Sequence, residues 1–561
     1  MNWVNMSEES LPLENTQNKT IHLNYPRITL GGLLHHSAEK FPLKKCIAHK
    51  SFGYNFRQVD LITNRVANGL LALGFKKGDR IGILLPNIPQ FVFCFFGIVK
   101  MGGIVVAINP QYQLREIKEQ VHTAGISGLF ILTGRLDLVS ELKQATSIRK
   151  FISTKPDDSF SLTDVSTQLR SNCAESKLPL PEVIDLQNLF SLQPNHQIQE
   201  MNVITYDDPA IFQFSGGTTG IPKAAVGLHR NVVANVLQFR AWLHTVQDEI
   251  NPFLVAIPLF HVYGMVLGMI LAVLMGCPMI LIENPGDISG IFKGIKKYKP
   301  TIFPSVPSIY YAMLNSPELS EYSQYLKYLK VCISGSASLN HKVKRDFEDL
   351  IGGTLIEGYG LSEAPTATHC NPVSGQNKVG SIGLPLPDVV CKLVSLEDGR
   401  HEVSDGKLGE LIIQGPQIMK EYYNNLKETN ETLRNGWLYT GDIAWKDSDG
   451  YYFIKGRKKD LIKVGGLQVW PQEVEDVIAS ILNVKETCAA GIPDDYLGEV
   501  VYAWIVVEPG SSLTAQDILV HCRSNLARHK VPNEVIFLEK LPRSTVGKVL
   551  RRELIRSIIK K

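Results

Sequence analysis

Short apolar runs alternate with amphipathic stretches through the first 450 residues of the chain. DRIGILLP (79–86) reads as a strand, PQFVFCFFGIVKMG (89–102) as a helix and IVVAINP (104–110) as the next strand. Strand, helix and strand joined by short turns form the pattern of a parallel sheet covered by helices. FLVAIP (253–258), PMILIE (278–283), TIFPSV (301–306) and KVCIS (330–334) repeat the strand signal. Residues 155–208 are polar, rich in Ser, Asp and Gln, and weakly periodic, so they read as surface connections. Beyond about residue 380 the texture changes. GKLGELIIQGP and DGYYFIKGR are short β segments set between glycines, a signal for antiparallel hairpins. From Leu461 onward, strands such as VVYAWIVVEP mix with helices such as PQEVEDVIAS, as in a small α+β domain. The charged run GRKKD (456–460) marks a solvated joint, which predicts domains at 1–456 and 457–561. The expected class is α/β: a large multi-layered N-terminal domain with parallel and mixed sheets and a β-rich subdomain, then the small C-terminal domain.

One run challenges this picture. Residues 262–282, VYGMVLGMILAVLMGCPMILI, are uncharged for 21 positions, long enough to span a bilayer. Gly276-Cys277-Pro278 interrupts the run, and MILI after it is strand-like, so a buried helix, a turn and a buried strand explain it better than a membrane span. At 561 residues the chain is too long for one core, and 44% hydrophobic with 20% charged residues excludes global disorder. A net charge of +3, spread along the chain, argues against a nucleic-acid partner. Nine cysteines without a CxxC pair read as reduced, mostly buried thiols of an intracellular protein and not as a zinc or redox site. The N-terminal MNWVNMSEESLPLENTQNKT lacks a basic start and an apolar core, so no secretory signal is expected and the predicted location is the cytoplasm.

The candidate chemistry begins at SGGTTGIPK (215–223). The phosphate loop of NTPases needs two glycines five apart with Lys-Ser/Thr after the second. Counting from Gly216 reaches Ile221, and counting from Gly217 reaches Pro222, so both fail. Even so, glycines turn backbone N–H groups inward, hydroxyls donate to phosphate oxygens and Lys223 adds charge. By itself the stretch is either a phosphate-binding loop or a flexible surface turn. EGYGLSEA (357–364) brings an aromatic, a hydroxyl and a carboxylate around two glycines. YTGDIAW (439–445) sets a lone acid in a tight turn, and LPRSTVGKVLRREL (541–554) sets a lysine on a glycine turn.

Taken in order, these stretches closely resemble the motifs of the acyl-adenylate-forming enzymes: acyl-CoA synthetases, beetle luciferases and peptide-synthetase adenylation domains. PLFHVYGM (258–265), SGSASL (334–339), GELIIQGPQIMKEYYNN (409–425) and GRKKDLIKVGGLQVWPQEVE (456–475) extend the resemblance from about Leu30 to the C-terminus. The double glycine of the loop is similar to the form found in fatty acyl-CoA synthetases. Departures are Ala224 for a usual glycine, Gly227-Leu228 for a Leu-Thr pair, Ser338 for a proline and Glu421 for a frequent glycine. None removes a charged group that the chemistry needs.

The resemblance implies an ATP- and Mg²⁺-dependent ligase that joins a carboxylate to the α-phosphate of ATP, expels pyrophosphate and passes the acyl group to coenzyme A. It assigns Ser215, Gly216, Gly217, Thr218, Thr219, Gly220 and Lys223 to the β- and γ-phosphates. Gly335, Ser336, Ala337, Glu357, Gly358, Tyr359, Gly360, Ser362, Asp442 and Arg457 complete the nucleotide site, with Tyr359 against adenine, Ser362 at the α-phosphate and Asp442 at the ribose. Glu363 and Thr218 are the expected Mg²⁺ ligands. Lys548 is the residue expected to stabilise the charge that builds during adenylation; without the resemblance it reads as part of a basic surface helix with Arg551, Arg552 and Arg556. His261, Val262, Tyr263, Gly264, Gly335 and Gly360 are the expected acyl-pocket residues, His261 as a lining residue and not a general base. A mobile C-terminal domain, hinged at Lys459, is implied to bring Lys463, Gly465, Gly466 and Gln468 into play for coenzyme A, whose thiol has a pKa of roughly 8.5 if it behaves like cysteine. The acyl stretches lack Lys and Arg, which favours a medium- to long-chain fatty acid or a similar apolar acid. Rival readings are a ligase loading a carrier-protein phosphopantetheine, an aryl (coumarate-like) CoA ligase, a luciferase-like oxygenase and an integral membrane protein. The expected assembly is a monomer or homodimer, with room for peripheral membrane contact.

Overall fold

The apolar density of PQFVFCFFGIVK has a direct structural counterpart. In the computed structural model, which describes residues 22–160, 183–196, 204–215, 222–544 and 548–559, every residue of the helix Pro89–Lys100 is buried. Proline stands in its first turn, where the missing N–H would have no intrahelical partner. Val66 packs so closely on Gly97 of this helix that a Cβ there would lie 2.5 Å from it.

Two compact units divide the chain: Met1–Val390 with Gln414–Leu438, and Cys391–Ile413 with Tyr439–Lys561. In the first unit, a seven-stranded sheet runs in the order Val183–Asp185, Lys150–Thr154, Gly128–Leu132, Arg80–Leu84, Ile104–Ala107, Pro209–Ser215 and Lys223–Leu228. All neighbours are parallel except the last pair, an antiparallel hairpin. A nine-stranded sheet has a parallel centre made of Met279–Leu281, Phe253–Val255, Ile302–Ser305, Val331–Ser334 and Thr354–Leu361. Helices such as Ile288–Tyr298 and His341–Ile351 bury apolar stripes against this sheet around Phe303, Tyr310 and Phe347. Asn340 caps the second of them through Lys342 N and Val343 N.

The strands read from the sequence at 79–86, 104–110, 253–258, 278–283, 301–306 and 330–334 are all present, so the α/β class is observed. Residues 262–282 form the expected helix, turn and strand, with a wide π turn over Gly264–Ile270 before Leu271–Leu274. Among the described residues no helix is long and apolar enough to cross a membrane. The polar stretch 155–208 is a partial exception to its reading as surface connections. It carries the edge strand Val183–Asp185 and the helix Leu186–Ser191, whose Leu186, Leu189 and Phe190 are buried. Three apolar residues spaced for one helical turn were masked there by polar surroundings.

The second unit holds the antiparallel pairing of residues 439–446 with Tyr452–Arg457, beside residues 409–413. Its five-stranded sheet is built on the long hairpin Val484–Asp494 and Gly498–Val507. Pro471–Ala479 and Ala515–Asn525 cover one core around Val469, Val474 and Ile518, while Arg551–Ile559 covers another around Trp504. The β segments at 391–413 and 439–456 thus group with the C-terminal residues, not with the N-terminal sheets.

Two features carry measurable stability. The Lys100 ammonium is fully buried and bonds Asp60 Oδ1 at 2.5 Å, Asn64 Oδ1 at 2.7 Å and the Asp60 carbonyl at 3.0 Å. Burial pushes its pKa down despite the Asp60 carboxylate. Removing one member of a buried pair leaves the other charge uncompensated. Asp60→Ala is therefore expected to cost about 3–5 kcal/mol in urea unfolding; a loss below about 1 kcal/mol would show the pair to be dispensable. At Gly360, a Cβ would lie 1.6 Å from the Thr366 carbonyl oxygen of the neighbouring strand. Backbone cannot yield as a flexible side chain can, so Gly360→Ala should lower the urea midpoint sharply or abolish soluble expression. An unchanged midpoint would refute this close approach.

Candidate functional site

The hairpin of Pro209–Ser215 and Lys223–Leu228 ends with Ser215 paired to Lys223. Gly216, Gly217, Thr218, Thr219 and Gly220 lie between these ends, outside the described residues. Beneath the hairpin end, Ser362 Oγ donates to the Phe214 carbonyl at 3.2 Å. The Lys223 ammonium pairs with the Glu428 carboxylate and lies 5.5 Å from the centre of the Tyr422 ring. Residues 420–423 run along the hairpin as an added strand: Val226 N donates to Glu421 O at 2.9 Å, Lys420 N to Val226 O at 2.9 Å and Tyr423 N to Ala224 O at 2.8 Å. Glu421, which departs from the familiar glycine, contributes backbone here.

This added strand reaches Glu363. Met419 N donates to the Glu363 carbonyl at 2.8 Å, and the buried Tyr422 hydroxyl donates to Glu363 Oε1 at 2.5 Å. Burial, followed by the Glu363 charge, pushes the Tyr422 pKa well up, so the phenol stays a donor. Ser362, Glu363, Ser215 and Lys223 are thus brought to one hairpin end. Tyr422 and Glu428 join them without having been assigned from the sequence. Tyr422 had a signal, standing in the quoted stretch GELIIQGPQIMKEYYNN; Glu428 had none nearby.

A second group gathers at the carboxyl ends of parallel strands, the usual ligand-binding edge of such sheets. Ile302–Ser305, Val331–Ser334 and Thr354–Leu361 end there, which places Gly335, Ser336 and Ala337 beside Glu357, Gly358, Tyr359 and Gly360. The buried Tyr263 hydroxyl donates to Ile333 O at 2.7 Å, and its ring covers Gly335, where a Cβ would stand 3.1 Å from it. Val262 is buried, and half-buried His261 accepts from Tyr263 N through Nδ1 at 3.2 Å. Gly264 lies against Pro258, whose carbonyl oxygen would be 2.2 Å from a Cβ there. Tyr359 meets His369 edge-on at 5.9 Å, and burial pushes that imidazole down to about 3, so it is neutral. The Glu357 carboxylate is occupied, accepting from Leu339 N at 3.1 Å and Gly380 N at 3.0 Å, and burial raises its pKa. Its side chain braces this edge. Ser305 and Ser334, paired across adjacent strands, are buried, and among the described residues their hydroxyls have no hydrogen-bond partner.

In the second unit, buried Asp442 faces Arg457 across the strand pair, with 2.9 Å between carboxylate and guanidinium. Beside them buried Glu410 accepts from Lys458 at 2.7 Å and from Gly441 N at 3.3 Å, an acid that the sequence reading passed over. Lys459 is exposed in the short turn Lys458–Asp460. Lys463 and Gln468 pair across a two-residue hairpin and both face outward, while Ile462, Val464 and Val469 point into the core. Gly465 and Gly466 form its turn with φ of 56° and 84°, the left-handed pair that a tight hairpin requires. Lys548 is exposed, its N–H donates to Ser544 Oγ at 3.1 Å, and its carbonyl accepts from Ser544 N at 2.7 Å. It precedes the helix Arg551–Ile559 and is not part of it. Arg551 is structural, bonding Glu475 at 2.6 Å.

Among the described residues no three His, Cys, Asp or Glu side chains gather as a metal site. One carboxylate is nevertheless enough for Mg²⁺ when phosphate oxygens and water supply the other ligands, and Glu363 fits that role with one oxygen braced by Tyr422.

Comparison with known proteins agrees with this arrangement. Residues 34–423 match the model of the AMP-binding enzymes, and residues 473–548 match the AMP-binding enzyme C-terminal domain. The chain is 36% identical over 538 residues to a long-chain-fatty-acid–CoA ligase of Bacillus subtilis (strain 168), covering 95% of each chain. It is 34% identical to a long-chain-fatty-acid–CoA ligase of Salmonella typhimurium, covering 98% of this chain and 97% of the relative. The crystal structure of ATP-bound MatB from Rhodopseudomonas palustris superposes with a TM-score of 0.83 at 25% identity, covering 95% of this chain and all of that one. With the hairpin, the Ser362–Glu363 pair and both family models in register, this chain belongs to the AMP-binding enzyme family.

Proposed function

We propose that the chain is an ATP-dependent acyl-CoA synthetase that activates a fatty acid as acyl-AMP, releases pyrophosphate and transfers the acyl group to coenzyme A. The observation that carries this reading is the junction of Ser362 and Glu363 with the end of the 215–223 hairpin, on a chain whose relatives are named long-chain-fatty-acid–CoA ligases. Small and apolar residues at Val262, Gly264 and Gly335 support an alkyl substrate, since an amino acid's ammonium would call for an acid there.

Adenylation brings two anions together, so the residues must neutralise charge and fix an in-line approach. In this reading the 215–223 stretch holds the departing pyrophosphate, with Lys223 as its cation. The Ser362 hydroxyl, held beside the hairpin end by its bond to Phe214 O, turns its single hydrogen from that carbonyl to the α-phosphate. Glu363 would hold Mg²⁺, which supplies charge neutralisation at the phosphates when bound. Asp442, oriented by Arg457, accepts from the ribose hydroxyls. Lys548 stabilises the charge that builds at the carboxylate and α-phosphate. Lys463, with Gly465, Gly466 and Gln468, serves the thioester step. An acyl-adenylate is a reactive anhydride, so separating the two steps limits its loss to water. The joint at residues 456–457, with Lys459 as hinge, belongs to the same proposal.

Two tests separate these roles. Lys548→Ala should lower pyrophosphate release with a fatty acid by about 10²–10³-fold while sparing thioester formation from supplied acyl-AMP. Lys463→Ala should show the opposite bias, and equal losses in both assays would defeat the division of labour. Carrier-dependent turnover without coenzyme A would turn the proposal toward carrier-protein loading. Tyr422→Phe removes a hydrogen bond to a charged group, worth about 1.5–3 kcal/mol. It should weaken Mg²⁺ binding during adenylation, raising the half-saturating concentration about tenfold or more, and an unchanged Mg²⁺ titration would remove Tyr422 from the site.

A further inference from the structure

The helix His229–Trp242 follows the hairpin strand Lys223–Leu228 without a loop. Its sequence, HRNVVANVLQFRAW, places Asn231, Asn235, Gln238 and Trp242 at intervals of four, three and four, so they share one face. On a surface helix such a polar stripe would meet water. Here Asn231, Asn235 and Gln238 are each no more than 1% exposed, and Trp242 is buried with them. Burying three carboxamides costs free energy that an apolar stripe would not, unless each finds hydrogen-bond partners of fixed geometry.

Those partners lie on the two segments that meet at Glu363. One is the strand Ala364–Cys370. Leu361 pairs with Ala364, which leaves Ser362 and Glu363 as the two residues of the turn into that strand. Asn235 Oδ1 accepts from Thr366 N at 2.7 Å and from Ala367 N at 3.3 Å, and Asn235 Nδ2 donates to Ala367 O at 2.7 Å. Two helical turns on, Trp242 Nε1 donates to Asn371 O at 3.1 Å, just past the end of the same strand. The other segment leads into Met419, whose N–H bonds the Glu363 carbonyl. Asn231 Nδ2 donates to Pro416 O at 2.8 Å. Gln238 Nε2 donates to Pro387 O at 2.7 Å and to Oε1 of the fully buried Gln417 at 3.2 Å. Asn235 Nδ2 also donates to Gln238 Oε1 at 3.0 Å, which joins the two sets. Asn231 Oδ1 accepts from Leu228 N at 3.0 Å and so ties the helix to the hairpin strand.

We propose that Asn231, Asn235 and Gln238 are positioning residues for adenylation: from one helix face they set the Glu363 turn, and the Met419–Tyr422 segment that braces it, against the hairpin end where Ser215 pairs with Lys223. This deepens the reading above and rests on Glu363 as the Mg²⁺ ligand. All three act through the segments on either side of Glu363, not on the reacting atoms. An apolar face of equal volume would hold the helix in the core, but apolar contact is non-directional and would leave both segments free to shift along it.

Asn235→Ala and Gln238→Met, made in the full chain, test it. In each folded variant the half-saturating Mg²⁺ for fatty-acid-dependent pyrophosphate release should rise about tenfold, the factor that one lost buried hydrogen bond represents. Hydrogen exchange without any ligand should quicken over residues 361–370 and 415–423 and stay at the wild-type rate in the strands Arg80–Leu84 and Gly128–Leu132. A lower maximal rate with an unchanged Mg²⁺ titration, or faster exchange in those two strands as well, would show a structural role only and overturn the proposal. Should Asn235→Ala fail to fold, Gln238→Met decides, because methionine keeps the length of the side chain and fits irregular gaps. A wild type without pyrophosphate release, or Glu363→Gln with a wild-type Mg²⁺ titration, would defeat the underlying reading and this inference with it. Wild-type behaviour of the Asn235 and Gln238 variants alone would overturn the positioning role and leave that reading standing.

Discussion

The candidate site depends on one backbone constraint: the antiparallel ladder that joins Pro209–Ser215, Lys223–Leu228 and residues 420–423. Each N–H and carbonyl in such a ladder must be satisfied when buried, so its register is hard to alter. That register puts Ser215 opposite Lys223 and carries Met419 to the Glu363 carbonyl. Side-chain chemistry is then layered on: the Tyr422 hydroxyl on Glu363, the Ser362 hydroxyl on Phe214 O, and Lys223 against Glu428. Slippage by one residue would turn every one of these groups to the other face.

The parallel edge works on the same logic with different means. Sheet register sets Ser305 beside Ser334 and Ser334 beside Glu357, and sterics finish the arrangement. Tyr263 fills the space a side chain at Gly335 would need, and Glu357 ties down the backbone at Leu339 and Gly380. A carboxylate committed to two backbone donors is a rigid strut, which leaves ligand contacts at this edge to its neighbours.

Much of this was legible in the sequence, because strands and helices with strong period or strong apolar density announce themselves locally. The parallel sheets, the break at Gly276-Cys277-Pro278 and the antiparallel β segments Gly409–Gln414 and Tyr452–Arg457 are of that kind. Ser362, Glu363 and Asp442 could be picked out because they stand in short glycine-flanked motifs. Glu428 and Glu410 could not, since each acquires its role from a lysine distant in sequence, Lys223 and Lys458. Tyr422 lay in view as one of two adjacent tyrosines, and only strand register tells which of them faces Glu363. The helix Leu186–Ser191 escaped because its three buried residues are diluted by polar neighbours. Pairings across many residues are properties of the fold, not of any window of sequence.

The ion pair between Lys223 and Glu428 has a bearing on ligand discrimination. An ammonium that already has a carboxylate partner sets a threshold for any anion that approaches it. Chloride or a single inorganic phosphate must displace Glu428 for one new contact, with little net gain. A polyphosphate anchored elsewhere along its length arrives at high effective concentration and makes the exchange favourable. If Lys223 meets the departing pyrophosphate as proposed, Glu428 would act as a resident competitor that favours ligands bound at several points over small anions.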